Sequence, residues 1–174
     1  SPFFLWTHLF DPHSPLVAPK KYTKGHEKDP YGSELAFVDD QVKRLVDAVG
    51  DAPTLWVIVG DHGEALGDHN EIYHGLYIYN DTQRVPWIMS GAGIERGVVE
   101  QPVGLADVLP TVFNRLGLPI PKGLDGSVQP GHPRPMPMET WELRTKYGYA
   151  PHKGLVDGRW KYIATPRPEL YDQL

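Results

Sequence analysis

Residues 54–63 read T-L-W-V-I-V-G-D-H-G, an unbroken apolar run that stops at a glycine and is followed at once by an aspartate and a histidine. Leu55–Val59 is β-branched and aromatic without polar alternation, which predicts a strand buried on both faces, as in a parallel sheet covered by helices. Upstream, Leu35, Val38, Val42, Leu45, Val46 and Val49 recur at spacings of three and four among charged residues. That period predicts an amphipathic helix over Tyr31–Val49, ending at Gly50. The opening S-P-F-F-L-W-T-H-L-F predicts a further strand, Phe3–Leu9. Strand, helix, strand in this order predicts a right-handed parallel crossover.

Downstream of the run, Val85–Met89 predicts another strand. Asp107 is expected to cap a helix that carries Val108, Leu109, Val112, Phe113 and Leu116 and stops at Gly117. After Leu118 the chain turns Pro- and Gly-rich without periodicity. Two short strands are expected beyond it, Lys153–Val156 and Arg159–Ile163, joined by the turn signal Asp157-Gly158. The expected fold is therefore α/β, a predominantly parallel sheet flanked by helices over residues 1–118, with a connector and a small β-rich subdomain over 119–174.

The 174 residues suit one domain with a core, with 40% apolar and 22% charged residues. A formal charge of −5 without any Lys/Arg block argues against nucleic acid or an anionic membrane surface as partner. The absence of cysteine excludes disulfides, thiolate metal sites and a cysteine nucleophile within these residues. The first ten residues are too short and interrupted to span a membrane, and lack the flanks of a signal peptide. Because they already read as a core strand, the chain is expected to be part of a longer protein. Nothing in it fixes a compartment.

Residues 59–75, V-G-D-H-G-E-A-L-G-D-H-N-E-I-Y-H-G, carry three histidines and four carboxylates. Open parallel sheets bind ligands outside the carboxyl ends of their strands, where Asp61 and His62 are expected, and the flanking Gly60 and Gly63 allow a sharp turn. A carboxylate beside an imidazole there suits a divalent cation; the competing reading is a turn-capping aspartate and a surface histidine. A hard cation such as Ca2+ takes about six to eight oxygens, so two ligands need company. His13, in F-D-P-H-S-P after the first expected strand, falls at the same sheet edge, or is an exposed loop histidine. His74 suits contact with an anion or proton donation to a leaving group, or packing under Tyr73 and Tyr77. Asp68 and His69 are weaker candidates, and His26, His132 and His152 read as surface.

Taken together, these pieces resemble the sulfatase family of the alkaline-phosphatase superfamily. The matching stretches, in order, are P-F-F-L-W-T-H-L-F-D-P-H-S-P, G-D-H-G-E-A-L-G-D-H-N-E-I-Y-H-G, Y-N-D-T-Q-R-V-P-W-I, L-A-D-V-L-P-T-V, L-D-G-S, G-R-W-K-Y-I and P-E-L-Y-D. The resemblance implies a sulfuric ester hydrolase acting on a small-molecule or saccharide sulfate ester. It implies Asp61 and His62 as metal ligands, for Ca2+ or alternatively Mn2+, Mg2+ or Zn2+. His13 would contact the sulfate and help the leaving group depart, and His74 would stand at a substrate-contacting cationic position often filled by lysine.

Two family features are missing from these residues. There is no C/S-x-P-x-R motif, the source of the formylglycine nucleophile, and no aspartate pair ahead of it. Both are expected upstream, so the chain by itself is expected to be inactive. Asn70 stands where glycine is usual and Leu16 where an aromatic often follows D-P-H-x-P. A phosphodiesterase, phosphonate monoester hydrolase or phosphoethanolamine transferase of the same superfamily is the nearest rival, and a non-catalytic homologue the next.

Overall fold

The structure, a computed structural model, describes residues 2–91 and 93–173. The chain forms two compact units, Ser1–Pro53 and Thr54–Leu174.

The first unit is built on helices α1 (Lys20–Thr23) and α2 (Pro30–Val49). The expected helix forms, as α2, over almost the same residues, but its apolar stripe is not buried: Leu35 and Val46 are 46% and 40% exposed, and the buried residues are Ser33 and Glu34. Pro30 opens it with its φ already set, and the Asp29 carboxylate accepts the Gly32 N–H at 2.8 Å. Gly50 ends it at φ +62, donating its N–H to Val46 O. Early in α2, Glu34 is buried at 1% exposure and accepts the Val17 N–H, which ties the segment after His13 to the helix. The expected strand Phe3–Leu9 does not form. Residues 3–9 are irregular, and Phe3, Phe4 and Trp6 are 72%, 85% and 76% exposed. An apolar run becomes a strand only where a neighbouring strand's C=O groups accept its N–H groups and that strand's N–H groups donate to its C=O groups, and no strand lies in this unit among the described residues.

The second unit holds two sheets. Strands β1 (Trp56–Val59) and β2 (Trp87–Ser90) pair antiparallel, Trp56 opposite Ser90 and Val59 opposite Trp87. Strands β3 (Met136–Thr140), β4 (His152–Asp157), β5 (Trp160–Ala164) and β6 (Glu169–Asp172) form an antiparallel sheet in chain order. Helices α3 (Asn80–Gln83), α4 (Val108–Arg115) and α5 (Glu142–Tyr147) complete the unit.

These pairings correct the expected parallel sheet: every strand pair among the described residues is antiparallel. A parallel pair needs a crossover, usually helical, that returns the chain to the same end of the sheet. The segment between β1 and β2 contains only short turns of helix, including α3, and its far end enters β2 in the opposite direction. Nor is β1 buried on both faces, since Ile58 and Val59 are 37% and 40% exposed. Apolar content fixed the strand but not its neighbours.

The hairpin is as expected. Asp157 pairs with Trp160, and Gly158 takes φ +55 in the turn between them. Along β5 exposure alternates, with Lys161 and Ile163 buried and their neighbours exposed. Ile78, fully buried, lies over β4 at Gly154, where a Cβ would stand 2.8 Å from Ile78 Cδ1.

Asp107 departs from its expected role. It makes no side-chain cap for α4. Its fully buried carboxylate instead accepts hydrogen bonds from Gly104 N (3.0 Å), Ser127 N (2.7 Å) and Arg134 Nη2 (2.6 Å), gathering the chain on either side of α4. Burial pushes its pKa up, but the Arg134 guanidinium and the two backbone donors outweigh that and hold it below the usual carboxylate value.

Candidate functional site

The G-D-H-G turn is pinned at both ends to the α3–β2 segment. Gly60 N–H donates to Pro86 O at 3.0 Å and Gly63 N–H to Thr82 O at 2.8 Å. Neither glycine adopts a positive φ; what they provide is close approach. A Cβ on Gly63 would lie 2.0 Å from Asp81 O, and one on Gly60 3.3 Å from Val85 Cβ. With the backbone seated this tightly, the two intervening side chains turn outward, and both Asp61 and His62 are exposed.

His62 Nδ1 lies 3.0 Å from Gly63 O. A carbonyl only accepts, so Nδ1 carries the proton and Nε2 the lone pair, the arrangement by which protein imidazoles are oriented toward metals. That Nε2 is 3.8 Å from Asp61 Oδ2. Atoms roughly 2.1–2.6 Å from one cation stand at most about 5 Å apart, so a carboxylate oxygen and an imidazole nitrogen at this separation fit a shared ion. They are two donors, and among the described residues no group of three or more His, Asp and Glu side chains is arranged to hold a metal.

His74 joins this pair, its ring 4.0 Å from that of His62 at 34°. Its Nδ1 lies 3.3 Å from both oxygens of Glu64, whose side chain is 6% exposed. Glu64 thus orients His74, a role the sequence reading missed although the acid directly follows D-H-G. The segment bearing His74 is itself seated on the second sheet. Thr140 Oγ1 donates to Gly75 O, Lys161 Nζ donates to Asn80 Oδ1 at 2.9 Å, and Tyr79 Oη donates to Glu169 at 3.1 Å. Buried Glu71 accepts Leu76 N–H at 2.7 Å. Burial raises the Glu71 pKa against these backbone donors, and it lowers Lys161 to about 8 against the pull of Asp81.

His13 belongs to the first unit. Its Nδ1 lies 2.7 Å from Ser14 O, which places the proton there, and its ring packs 4.5 Å from that of Phe10. Two histidines read as weak or surface residues have defined surroundings. His69 stacks on Tyr79 at 3.7 Å and 10°, with Nδ1 3.7 Å from Asp81 Oδ2. His152 is half-buried and stacks on Tyr77 at 5.4 Å, and burial lowers its pKa against the pull of Glu169.

The sulfatase family profile matches residues 1–118, more than half of the chain. The chain belongs to the sulfatase family. It is 38% identical over 93 residues to an uncharacterized sulfatase, YidJ, of Escherichia coli, covering 52% of this chain and 19% of that protein. It is 28% identical over 155 residues to a choline-sulfatase of Rhizobium meliloti, covering 82% of this chain and 30% of the relative. Among solved structures, a phosphonate monoester hydrolase from Silicibacter pomeroyi shares the fold, with a TM-score of 0.68 at 23% identity over 82% of this chain and 34% of that one. This sulfatase-family chain thus spans less than a third of the length of either of these two curated relatives. Among its described residues no helix is long and apolar enough to cross a membrane.

Proposed function

We propose that this chain contributes part of a metal-dependent sulfate-ester hydrolase site, with Asp61 and His62 as ligands of a divalent cation, most suitably Ca2+. The observation that carries the proposal is the pairing of an outward carboxylate with an imidazole whose Nδ1–H is engaged by Gly63 O. A cation bound there would supply charge neutralisation to the sulfate oxygens. His74, oriented by Glu64 and against the His62 ring, contacts the anionic ester and donates a proton to the departing oxygen. His13 is assigned to the ester on the family resemblance alone. The attacking formylglycine and the remaining metal ligands are assigned outside these residues.

The test is Mn2+ titration of this chain, followed by NMR of the imidazole resonances. His62 and His74 should broaden first, well before His26 and His132, and Asp61→Asn should remove that selectivity. Broadening that is uniform across the histidines, or unchanged in the variant, would remove the metal assignment. Because the fold is shared with a phosphonate monoester hydrolase, the same half-site also suits a phosphonate ester. Relative turnover of an aryl sulfate and an aryl phosphonate by the full-length enzyme separates the two.

A further inference from the structure

Residues 71–77, E-I-Y-H-G-L-Y, carry His74 at their middle, and the chain is fastened on both sides of that histidine. Just before it, Ala65 N–H donates to Tyr73 O at 2.8 Å. Just after it, the Glu71 carboxylate reaches across the segment and accepts two successive backbone N–H groups, Leu76 at 2.7 Å on Oε1 and Tyr77 at 3.3 Å on Oε2. We propose that Glu71 is a positioning residue for His74, holding the imidazole against the His62 ring by clamping the chain beyond it. The inference rests on the reading of His74 given above and adds a second acid, besides Glu64, on which that histidine depends.

The clamp has a fixed base. Glu71 is buried, its own N–H donates to Asp68 O at 3.0 Å, and its carbonyl accepts Gly67 N–H at 2.8 Å. Between His74 and the clamped amides stands Gly75 at φ +99, a region that favours glycine. The chain therefore turns sharply as it leaves the imidazole, and two carboxylate oxygens on two neighbouring N–H groups set the direction in which it continues. Thr140 Oγ1, donating to Gly75 O, braces the same point from the second sheet.

A carboxylate is a costly choice for this place. Buried charge is ordinarily offset by an opposite charge, yet among the described residues no lysine or arginine pairs with Glu71. Burial, helped by Asp81, raises its pKa, and the two backbone donors and His74 only partly offset that. An amide offers one acceptor and one donor group, so it would set an NH2 against one of the two N–H groups, whereas a carboxylate accepts from both. A loop that had only to be closed could use a cheaper neutral side chain, and groups kept at such a cost concentrate at functional sites. The two acids divide the task. Glu64 meets the His74 ring itself, 3.3 Å from Nδ1, and Glu71 acts on it through the backbone.

The test has a spectroscopic and a kinetic arm. In NMR of this chain, proton contacts between the His62 and His74 rings should be present in the parent and lost in Glu71→Gln. Asp107→Asn, which alters the buried carboxylate beside α4, should lower the melting temperature and keep those contacts. In the full-length enzyme, with aryl sulfates as substrates, Glu71→Gln should lower kcat by about tenfold to a hundredfold, the scale of a misplaced catalytic group. KM should stay within about threefold, because a proton given to the leaving oxygen acts in the transition state. The loss should be larger for phenyl sulfate than for 4-nitrophenyl sulfate, whose leaving group needs the proton less. In a His74→Gln background the same substitution should change kcat by less than about twofold. Glu71→Asp keeps the charge, shortens the reach by one methylene, and carries both arms where Glu71→Gln does not fold. Ring contacts retained in the Glu71 variant, losses additive with His74→Gln, or a loss indifferent to the leaving group would overturn the inference and leave His74 in the reaction. Unchanged turnover in His74→Gln would remove the role of His74 itself, and the inference with it.

Discussion

The two sheets of the second unit differ in what stands against their faces. In the β1–β2 pair, Ile58, Val59 and Ile88 are 37%, 40% and 55% exposed, and a two-stranded ribbon has little stability of its own in water. In the β3–β6 sheet, Ile163 is 1% exposed and Lys161 2%, and Ile78 from the His74-bearing segment is buried over Gly154. The Asp-His pair hangs from the thin sheet, yet the segment that pins it is braced on the thick one through Lys161, Tyr79 and Thr140. The candidate chemistry and the local rigidity therefore sit on different strands, joined by the residues between Gly63 and Pro86.

The largest effect should come from the thick sheet. Ile163→Ala removes a buried branched side chain and should cost about 2–5 kcal/mol in a urea or thermal melt. It should also loosen the His74 segment, visible as faster amide exchange at residues 75–80. A cost near zero would mean that the four-stranded sheet is not the platform described.

A smaller effect, of opposite sign, belongs to Lys161. Burial lowers its amine to about 8, against roughly 10.4 in the unfolded chain. Between those values the unfolded chain binds more protons, so stability rises as pH increases from about 8 to 10, and the full cost of burying the charge is present below that window. Lys161→Met keeps the stem and removes the amine. It should be more stable than the parent by about 1–2 kcal/mol at pH 7, with the gap closing by pH 10. A destabilised variant at pH 7 would show instead that the bond to Asn80 outweighs the desolvation.

The smallest effect should be Ile88→Ala on the thin sheet, under about 0.5 kcal/mol because the side chain is already in water. A loss as large as that of Ile163→Ala would break the comparison, since it would require this face to be covered in solution.

Local chemistry was legible wherever a short stretch is sufficient to itself. The period of Leu35 to Val49 with its terminal Gly50 needed no partner to specify α2, and Asp157-Gly158 specified its hairpin. The Asp61-His62 pair was legible as a motif, and Gly60 and Gly63 as necessary to it, although close approach rather than turn conformation is what they supply. Glu64 and Lys161 were not singled out, because each acts on a residue distant in sequence, His74 and Asn80 respectively, and such contacts leave no periodic trace.

The sequence alone thus determined the family, through ordered motifs, and the helices and turns that depend on neighbours three or four residues away. Only the tertiary structure decided strand direction, which side chains are buried, and the union of His62 with His74 and of Asp107 with Arg134. Hydrophobicity is non-directional: it can say that Leu55–Val59 prefers company, but hydrogen-bond ladders and the path of the connecting chain decide whose company it keeps.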